Sequence, residues 1–380
     1  MLEAPVPEQL VWARVTRPAQ PLVYLDLNHY IQLAKASRAE AGFTSEDGRA
    51  IKVLPGYSDL LASARRAKAD GRALFPLSAV HFMEVAHRVP SPRQRGHVAD
   101  IMEELSSYLY LAGRPTMIQV EVAAGVDKVY GVASTYQPVP LLQDSAMWAF
   151  GRTGGFKFLN QGTGEDLEAQ IRRAIGDEAF EKQLAEMRYI LERKVLEGPQ
   201  DSEIPNLRRN GYLPENYGVR MQSRLDFELE TRTILDNDPA LRRQRLRDHI
   251  FAREVAHECM TLFALHLRQR EEEGLRHDLL DPPDLVALFA AMPQLQVSVT
   301  MKARYHQNPQ HPWKVNHISD IDALCVAFAY CDAVLTDAEA RAAIAGAREL
   351  RGFGTFLPAK PIEMARWLDG LPAQPNGTDD

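Results

Sequence analysis

Apolar residues along the chain gather into short strand-type runs, each of which stops at a polar residue and gives way to helical spacing. In PLVYLDLNHY, residues 22–25 are such a run, ending at Asp26 ahead of HYIQLAKASRAE. In ALFPLSAVHFMEVAHR, residues 73–77 meet Ser78, a hydroxyl suited to a helix N-cap, with Glu84 six residues on. In AYCDAVLTDAEARAAI, residues 333–335 end at Thr336-Asp337 and pass into the helix AEARAAIAGAREL. MIQVEV (117–122) and GTFLP (354–358) read as further strands. DLLASARRAKADGR with Gly71 as its stop, RGHVADIMEELSSYLYLAG closed by Gly113, SDIDALCVAFAYC and KPIEMARWLDGL read as helices. Alternation of this kind predicts the α/β class, a parallel sheet with helices on its faces.

The pattern changes between 136 and 300. There GEDLEAQIRRAIGDEAFEKQLAEMRYILERKVLEG and ALRRQRLRDHIFAREVAHECMTLFALHLRQREEEG are charged and helical, with the Pro/Gly/Asn-rich GPQDSEIPNLRRNGYLPENYG between them. The expected organisation is an irregular segment 1–20, a core in two parts (21–135 and 301–370), a mostly α-helical insertion 136–300, and a disordered polar tail 371–380.

At 380 residues, with 45% hydrophobic and 25% charged, the chain has the composition of a soluble globular protein. It has no apolar run long enough to span a bilayer. MLEAPVPEQLVWARV lacks a basic segment followed by an apolar one, so a cytoplasmic location and no membrane are expected. Cys259, Cys325 and Cys331 have no metal-ligand spacing and read as small buried hydrophobes. A net charge of −7 argues against holding nucleic acid by bulk charge, but leaves room for a local basic stripe.

Acids recur at strand exits and helix starts: Asp26, Glu84, Asp320 with Asp322, and Asp337. In a parallel sheet the strand C-termini share one edge, where ligands bind. Asp26 and Asp337 would meet there, with Glu84 and the 320/322 pair at helix starts facing the same edge. Carboxylates so gathered repel one another and raise each other's pKa, and a hard divalent cation, Mg²⁺ or Mn²⁺, resolves the conflict. Singly, each acid has an ordinary explanation: an N-cap for Asp26, Asp320 or Asp337, a solvated helix position for Glu84, a turn for Asp332. The conjunction of several, from distant segments, points to a site.

These residues resemble the PIN-domain nucleases. The resemblance lies in Asp26-Leu27-Asn28 after the first strand, Ser78 followed by Glu84, the DALCVA helix led by Asp322, Thr336-Asp337, and the closing GTFLPAKPIEMARWL. It covers roughly 20–130 and 300–370 and omits the insertion, closer to the larger PIN-like proteins of bacteria than to the small toxins. The stretch between DALCVA and VLTD is shorter than usual for that family, which leaves Asp320 and Asp322 both open as the third acid. The resemblance implies a three-layer, parallel-sheet PIN-like core. It also implies Mg²⁺- or Mn²⁺-dependent phosphodiester hydrolysis, of RNA more than DNA, by in-line attack of water that leaves 5′-phosphate and 3′-hydroxyl ends. In that scheme Asp26, Glu84 and Asp322 or Asp320 bind the first ion, and Asp337 completes the site or binds a second. Asn28, Ser78 and Thr336 would orient the carboxylates from behind.

HQNPQHPWKVNHISD, with His306, His311, Lys314 and His317 and with Arg304 just before, leads into the acidic helix. Read functionally, Arg304 and Lys314 meet phosphate and Trp313 stacks on a base; read plainly, it is a polar loop. Arg242, Arg243, Arg245, Arg247 and Arg253 form either an RNA-tracking stripe or, as the pattern favours, a solvated helix paired to Asp248 and Glu254. HECMT lacks the second His of a zinc-protease motif. Asn28 stands where a haloacid-dehalogenase-like phosphatase needs a second Asp, and neither a Gly-rich phosphate loop nor a Gly-x-Ser-x-Gly elbow occurs. The rival readings are a catalytically silent PIN-like binding or scaffold protein, and a nuclease held off until a regulatory partner or a small signal binds the insertion, as in a bacterial defence or toxin role; the insertion is also a candidate surface for a homo-oligomer. The complete acid set favours an active enzyme.

Overall fold

The computed structural model describes residues 14–45, 47–89, 91–130, 138–152, 158–160 and 162–372. Of these, 66% are helical. In chain order the elements are β1 (Val15–Thr16), β2 (Val23–Leu25), α1 (Leu27–Glu40), α2 (Tyr57–Ala69), α3 (Ala79–Arg88), α4 (Pro92–Ser106), β3 (Tyr110–Leu111), α5 (Arg114–Tyr130), β4 (Val139–Pro140), β5 (Leu142–Gln143) and α6 (Ala146–Ala149). Helices then follow one another: α7 (Glu168–Ile175), α8 (Asp177–Glu197), α9 (Ile204–Arg209), α10 (Glu215–Asn237), α11 (Pro239–Gln244), α12 (Leu246–Glu254), a π-helical turn Val255–Cys259, α13 (Met260–Glu272) and α14 (Pro282–Ala290). The chain closes with α15 (Pro293–Gln307), α16 (Val315–Tyr330), β6 (Ala333–Leu335), α17 (Ala338–Ile344), a 3₁₀ turn Arg348–Phe353 and α18 (Pro361–Asp369).

This overturns the expected α/β fold with a three-layer parallel-sheet core. Among the described residues the strands pair only in twos: β2 with β6 and β1 with β4 in parallel, β3 with β5 antiparallel. Other extended segments touch this framework through single bridges, Leu22–Leu74, Ala333–Phe356 and Leu77–Tyr110. Proline is one reason the bridges do not lengthen into ladders. Pro76 lies between Leu74 and Leu77 with no amide to donate, and Pro358 follows Phe356 by two residues. MIQVEV, expected as a strand for its β-branched content, lies inside α5, where Met117, Ile118, Val120 and Val122 are all buried. The helix expected to run to Gly113 stops at Ser106, because Ser107 and Tyr108 take left-handed backbone angles (φ 50 and 58), and Tyr110–Leu111 becomes β3.

The β2–β6 pair is the buried seam of the core. Val23, Tyr24 and Leu25 face Ala333, Val334 and Leu335 in register, each no more than 1% exposed. Side chains alternate across a strand. Val23, Leu25, Ala333 and Leu335 join the apolar cluster of α1, α2, α4 and α18, while Tyr24 and Val334 join that of α15, α16 and α17. Burial on both faces explains why these runs are apolar throughout rather than alternating.

Of the insertion helices, α8 packs on α3 and α4, α10 on α16, and α13 and α14 on α5. Buried polar contacts tie them in. Glu192 of α8 accepts from the Tyr110 hydroxyl (2.6 Å) and the Ala146 amide (3.1 Å). Lys302 of α15 pairs with Glu228 of α10 (2.7 Å) and Glu254 of α12 (2.5 Å), all three at least 95% buried. Burial alone would discharge Lys302; the two carboxylates outweigh it and raise its pKa. Cys259, Cys325 and Cys331 are buried and form no disulfide. The irregular segment 1–20 is described only from residue 14 and the tail 371–380 only to 372; the rest of both lies outside the described residues. Among the described residues no single helix is long and apolar enough to cross a membrane.

Lys302→Met would leave Glu228 and Glu254 buried without their shared cation. The expected cost is about 3–5 kcal/mol, read as a lower denaturant midpoint at unchanged m-value. A loss below about 1 kcal/mol would show that the buried pairing does not hold α10, α12 and α15 together.

Candidate metal centre

The seam delivers both of its strands into helices at one edge. Asp26 follows Leu25, Thr336-Asp337 follows Leu335, and the Asp26 amide donates to the Leu335 carbonyl (3.0 Å). Each aspartate caps the helix it precedes. Asp26 Oδ1 accepts from the Leu27 amide (2.7 Å), and Asp337 Oδ1 from the amides of Glu339 and Ala340 (2.8 and 2.9 Å). Capping occupies one oxygen of Asp26, and Oδ2 is buried with no hydrogen-bond partner. Asp320, from the second turn of α16, completes a triad: Asp26, Asp320 and Asp337 each present a carboxylate oxygen within 4.8 Å of the others. Glu84 stands beside them on α3. Its Oε1 accepts from Arg88 one turn on (2.9 Å), and its Oε2 is buried and unpartnered.

Burial and mutual repulsion act together on these groups. Burial, then the charge of Asp337, raises Asp26 to about 6. Burial, then Asp26, raises Glu84 to about 7. Burial, then Asp26, Asp337 and Glu84, raises Asp320 to about 8. Arg88 offsets each in part and is one cation against four carboxylates. The donor set is all oxygen, with two buried orphan atoms, and it fits a hard divalent ion such as Mg²⁺ or Mn²⁺.

The structure separates the two aspartates that the sequence left open. Two residues along a helix are about 200° apart around its axis. Asp320 faces the cluster, whereas Asp322 pairs with Arg114 of α5 (3.0 Å) and with Arg224 of α10. The same arginines meet Glu254 and Glu258. Asp322, expected among the ligands, is thus tied up with arginines away from the cluster, and the aspartate that the structure brings to Asp26 and Asp337 is Asp320.

The residues expected to orient the carboxylates act differently. Ser78 accepts or donates at the Tyr24 hydroxyl (3.3 Å), and its amide donates to His81 Nδ1 (2.9 Å). His81 Nε2 then donates to the carbonyl of Leu25, directly before Asp26 (2.8 Å). Burial lowers His81 to about 4, so the ring is neutral and uses both nitrogens to clamp α3 to the strand end. Asn28 is half-buried and Thr336 buried, and neither makes a side-chain hydrogen bond to the four carboxylates among the described residues. His29, beside Asn28, bonds the Tyr57 hydroxyl (2.8 Å), and burial lowers it to about 4. His81, Arg88 and His29 are the participants that sequence reasoning missed. Two had a signal: His81 at capping-box spacing after Ser78, and Arg88 one helical turn after Glu84.

Trp313 is 7% exposed and packs on Tyr305, His306 and His311, so its expected stacking on a base is corrected: the ring belongs to the core. Arg304, on α15, and Lys314, at the N-cap of α16, are exposed. His311 Nε2 lies 3.2 Å from His317 Nδ1, and His317 Nε2 lies 3.4 Å from Glu339 Oε1. These three side chains cluster closely enough for a metal. However, His317 Nδ1 accepts from the Lys314 amide (3.1 Å), which leaves the proton on Nε2 facing Glu339 and makes the group a hydrogen-bonded chain. The arginine-rich helix is also committed. Arg242 pairs with Asp236, Arg245 with Asp248 and Arg253 with Glu230, while Arg247 bonds Thr300 and Gln296.

No protein-family model, curated protein or solved structure matches the chain.

The raised carboxylates make the metal-free protein sensitive to base. In the unfolded chain they titrate near 4, so the folded state holds protons that the unfolded state has released. Stability from this source is complete below about pH 4 and is lost as pH rises through the folded values of about 6, 7 and 8. In EDTA, the melting temperature is expected to fall from about pH 5 to about pH 8. Asp320→Asn is expected to flatten the fall and to be the more stable protein at the upper end, by on the order of 2 kcal/mol. Parallel pH profiles for the two proteins would contradict the crowding.

Proposed function

We propose that this protein is a divalent-metal-dependent phosphodiester hydrolase acting on RNA in preference to DNA. The observation that carries the reading is the meeting of Asp26, Glu84, Asp320 and Asp337 at one buried edge, with Asp26 Oδ2 and Glu84 Oε2 unpartnered. Four acids from four distant segments, opposed among the described residues by Arg88, favour no state of the protein alone as much as one that carries a dication. The preference for RNA rests on the likeness of Asp26-Leu27-Asn28, Ser78 with Glu84, and Thr336-Asp337 to the PIN-domain nucleases.

Asp26, Asp320 and Asp337 would hold the ion, with Glu84 beside them. A Mg²⁺ or Mn²⁺ there supplies positive charge for the attacking water and for the oxygens of a phosphodiester. The chain's own contribution is positioning. The caps fix Asp26 and Asp337 in one orientation, His81 fixes Glu84's helix to the strand end, and Arg88 sets a guanidinium at the rim for a phosphate oxygen. Asp26, Glu84 and Asp320 give up protons as the ion binds, so affinity rises with pH through about 6 to 8.

One observation favours a gated form of this activity. Tyr217, from α10 of the insertion, stacks on His87 of α3 and reaches the Ser319 hydroxyl (3.4 Å), next to Asp320. A shift of α10 would therefore be felt at the site.

The test is cleavage of labelled RNA and single-stranded DNA with Mg²⁺, Mn²⁺ or EDTA. Native protein should cleave RNA only with metal, and Asp320→Asn should lose on the order of 100-fold or more. Asp322→Asn should lose thermal stability and retain cleavage per folded molecule. Absence of cleavage together with no metal-induced rise in melting temperature would overturn the reading.

A further inference from the structure

Beside the acidic cluster, past Arg88, runs a groove of about 590 Å³ whose charge is opposite to that of the protein. The chain carries −7 overall, yet Lys35, Arg38, Arg49, Lys52, Arg88 and Arg93 line this groove, and among the described residues Asp47 is the one carboxylate in its lining. The cations come from separate segments. Lys35 and Arg38 share one face of α1 with Ile31 and Ala34, at helical spacing. Arg93 stands in the first turn of α4, Arg49 and Lys52 on the connection between α1 and α2, and Arg88 at the last turn of α3.

Most of this charge is uncommitted. Lys35, Lys52 and Arg93 have no ion-pair partner among the described residues, and Arg49 pairs only with Asp47 (3.3 Å) at the surface. Arg38 bonds the Thr44 carbonyl (3.5 Å) and lies over the Phe43 ring, contacts that leave its charge unneutralised. The positive field shows on His97 in the groove wall, whose pKa is lowered by burial, then by Arg38, with Arg93 adding to it. Arg93 also stands at the start of α4, the positive end of that helix's dipole. The arginines on α11 and α12 offer no such surface, because most of them are paired within the fold.

The groove leads to the metal centre. Asp26 caps α1, so Arg38 lies about 18 Å along the helix from the cluster. At the near end Arg88 belongs to both surfaces, lining the groove and pairing with Glu84. We propose that this groove binds the phosphodiester backbone of a single-stranded nucleic acid and leads it past Arg88 to the four carboxylates; the choice of occupant rests on the hydrolase reading above. A volume of about 590 Å³ suits a few nucleotides of one strand. Without the groove, an acidic protein would repel the polymer that its acidic site is to cut.

The test measures binding apart from cleavage. The full chain, in EDTA, is titrated against fluorescent single-stranded RNA and DNA across a salt series, beside two triple variants of equal net charge. Lys35→Glu with Lys52→Glu and Arg93→Glu reverses the groove; Lys182→Glu with Arg209→Glu and Arg243→Glu reverses exposed cations of the insertion. The groove variant should lose about 100-fold in affinity at low salt and about three units of salt slope, and the other less than about threefold in affinity. Lys35→Gln, Lys52→Gln and Arg93→Gln should each lower the slope by about one, which serves if the triple variant folds poorly. Native protein that binds through the groove but never cleaves with Mg²⁺ or Mn²⁺ would remove the hydrolase and leave the groove standing. Equal losses in both triple variants, cleavage unaffected by groove reversal, or binding to anionic vesicles with none to either nucleic acid would each overturn the proposal.

Discussion

The in-register pairing of β2 with β6 is the constraint on which the rest depends. Only three residues pair on each strand, yet all six are buried and the chain on either side is anchored to them. At the entry end Asp332 accepts from the Leu22 amide (2.8 Å) and pairs with Arg17 (2.9 Å), so this turn residue ties the two strands where they begin. At the exit end the Asp26 amide meets the Leu335 carbonyl. Both faces are apolar, so volume rather than polarity sets the register: a slip of one residue would move Tyr24 out of the cluster of α15–α17 and into the one that Val23 and Leu25 now fill. Asp26 and Asp337, more than 300 residues apart, emerge together because the apolar residues before them can pair in only one way.

That arrangement is unfavourable locally. Burying Asp26, Glu84 and Asp320 together raises all three pKa values, and the fold tolerates it because each acid is attached to an element held by other forces. Asp26 and Asp337 sit at helix starts, where amides and the helix dipole favour an anion. Glu84 rides on α3, fixed by His81, and Asp320 on α16, which is buried along nearly its whole length. Helix α16 also divides two charge systems. One face gives Asp320 to the acidic cluster, and the other gives Asp322 to Arg114 and Arg224, from which the buried chain continues to Glu254 and Lys302. Insertion and site are joined through that helix and through Tyr217.

The legible parts of the sequence were those governed by local chemistry. The helices HYIQLAKASRAE and KPIEMARWLDGL, the stop near Gly71 and the caps at Asp26, Ser78 and Asp337 formed much as their residues suggested, since capping and periodicity act within a few positions. The sheet was not legible. Short apolar runs read equally as strands of an extended ladder or as segments touching at single bridges, and Pro76 and Pro358 weigh toward the latter. MIQVEV misled because β-branched residues suit any fully buried surface, helical ones included.

By itself, the sequence determined that acids would stand at the exits of two buried strands and on two helices, because an apolar run that stops at Asp and enters a helix dictates both burial and cap. Only the tertiary structure decided which acids meet. Asp320 joins the cluster and Asp322 does not, because the rotation of α16 relative to the seam is set by packing on α15 and α10 rather than by anything between residues 320 and 322. Packing likewise took Trp313 into the core and gathered cations of α1, α3, α4 and the α1–α2 connection into one groove. No stretch of this acidic chain announces that groove, because its charges lie on separate elements and adjoin only when those elements pack.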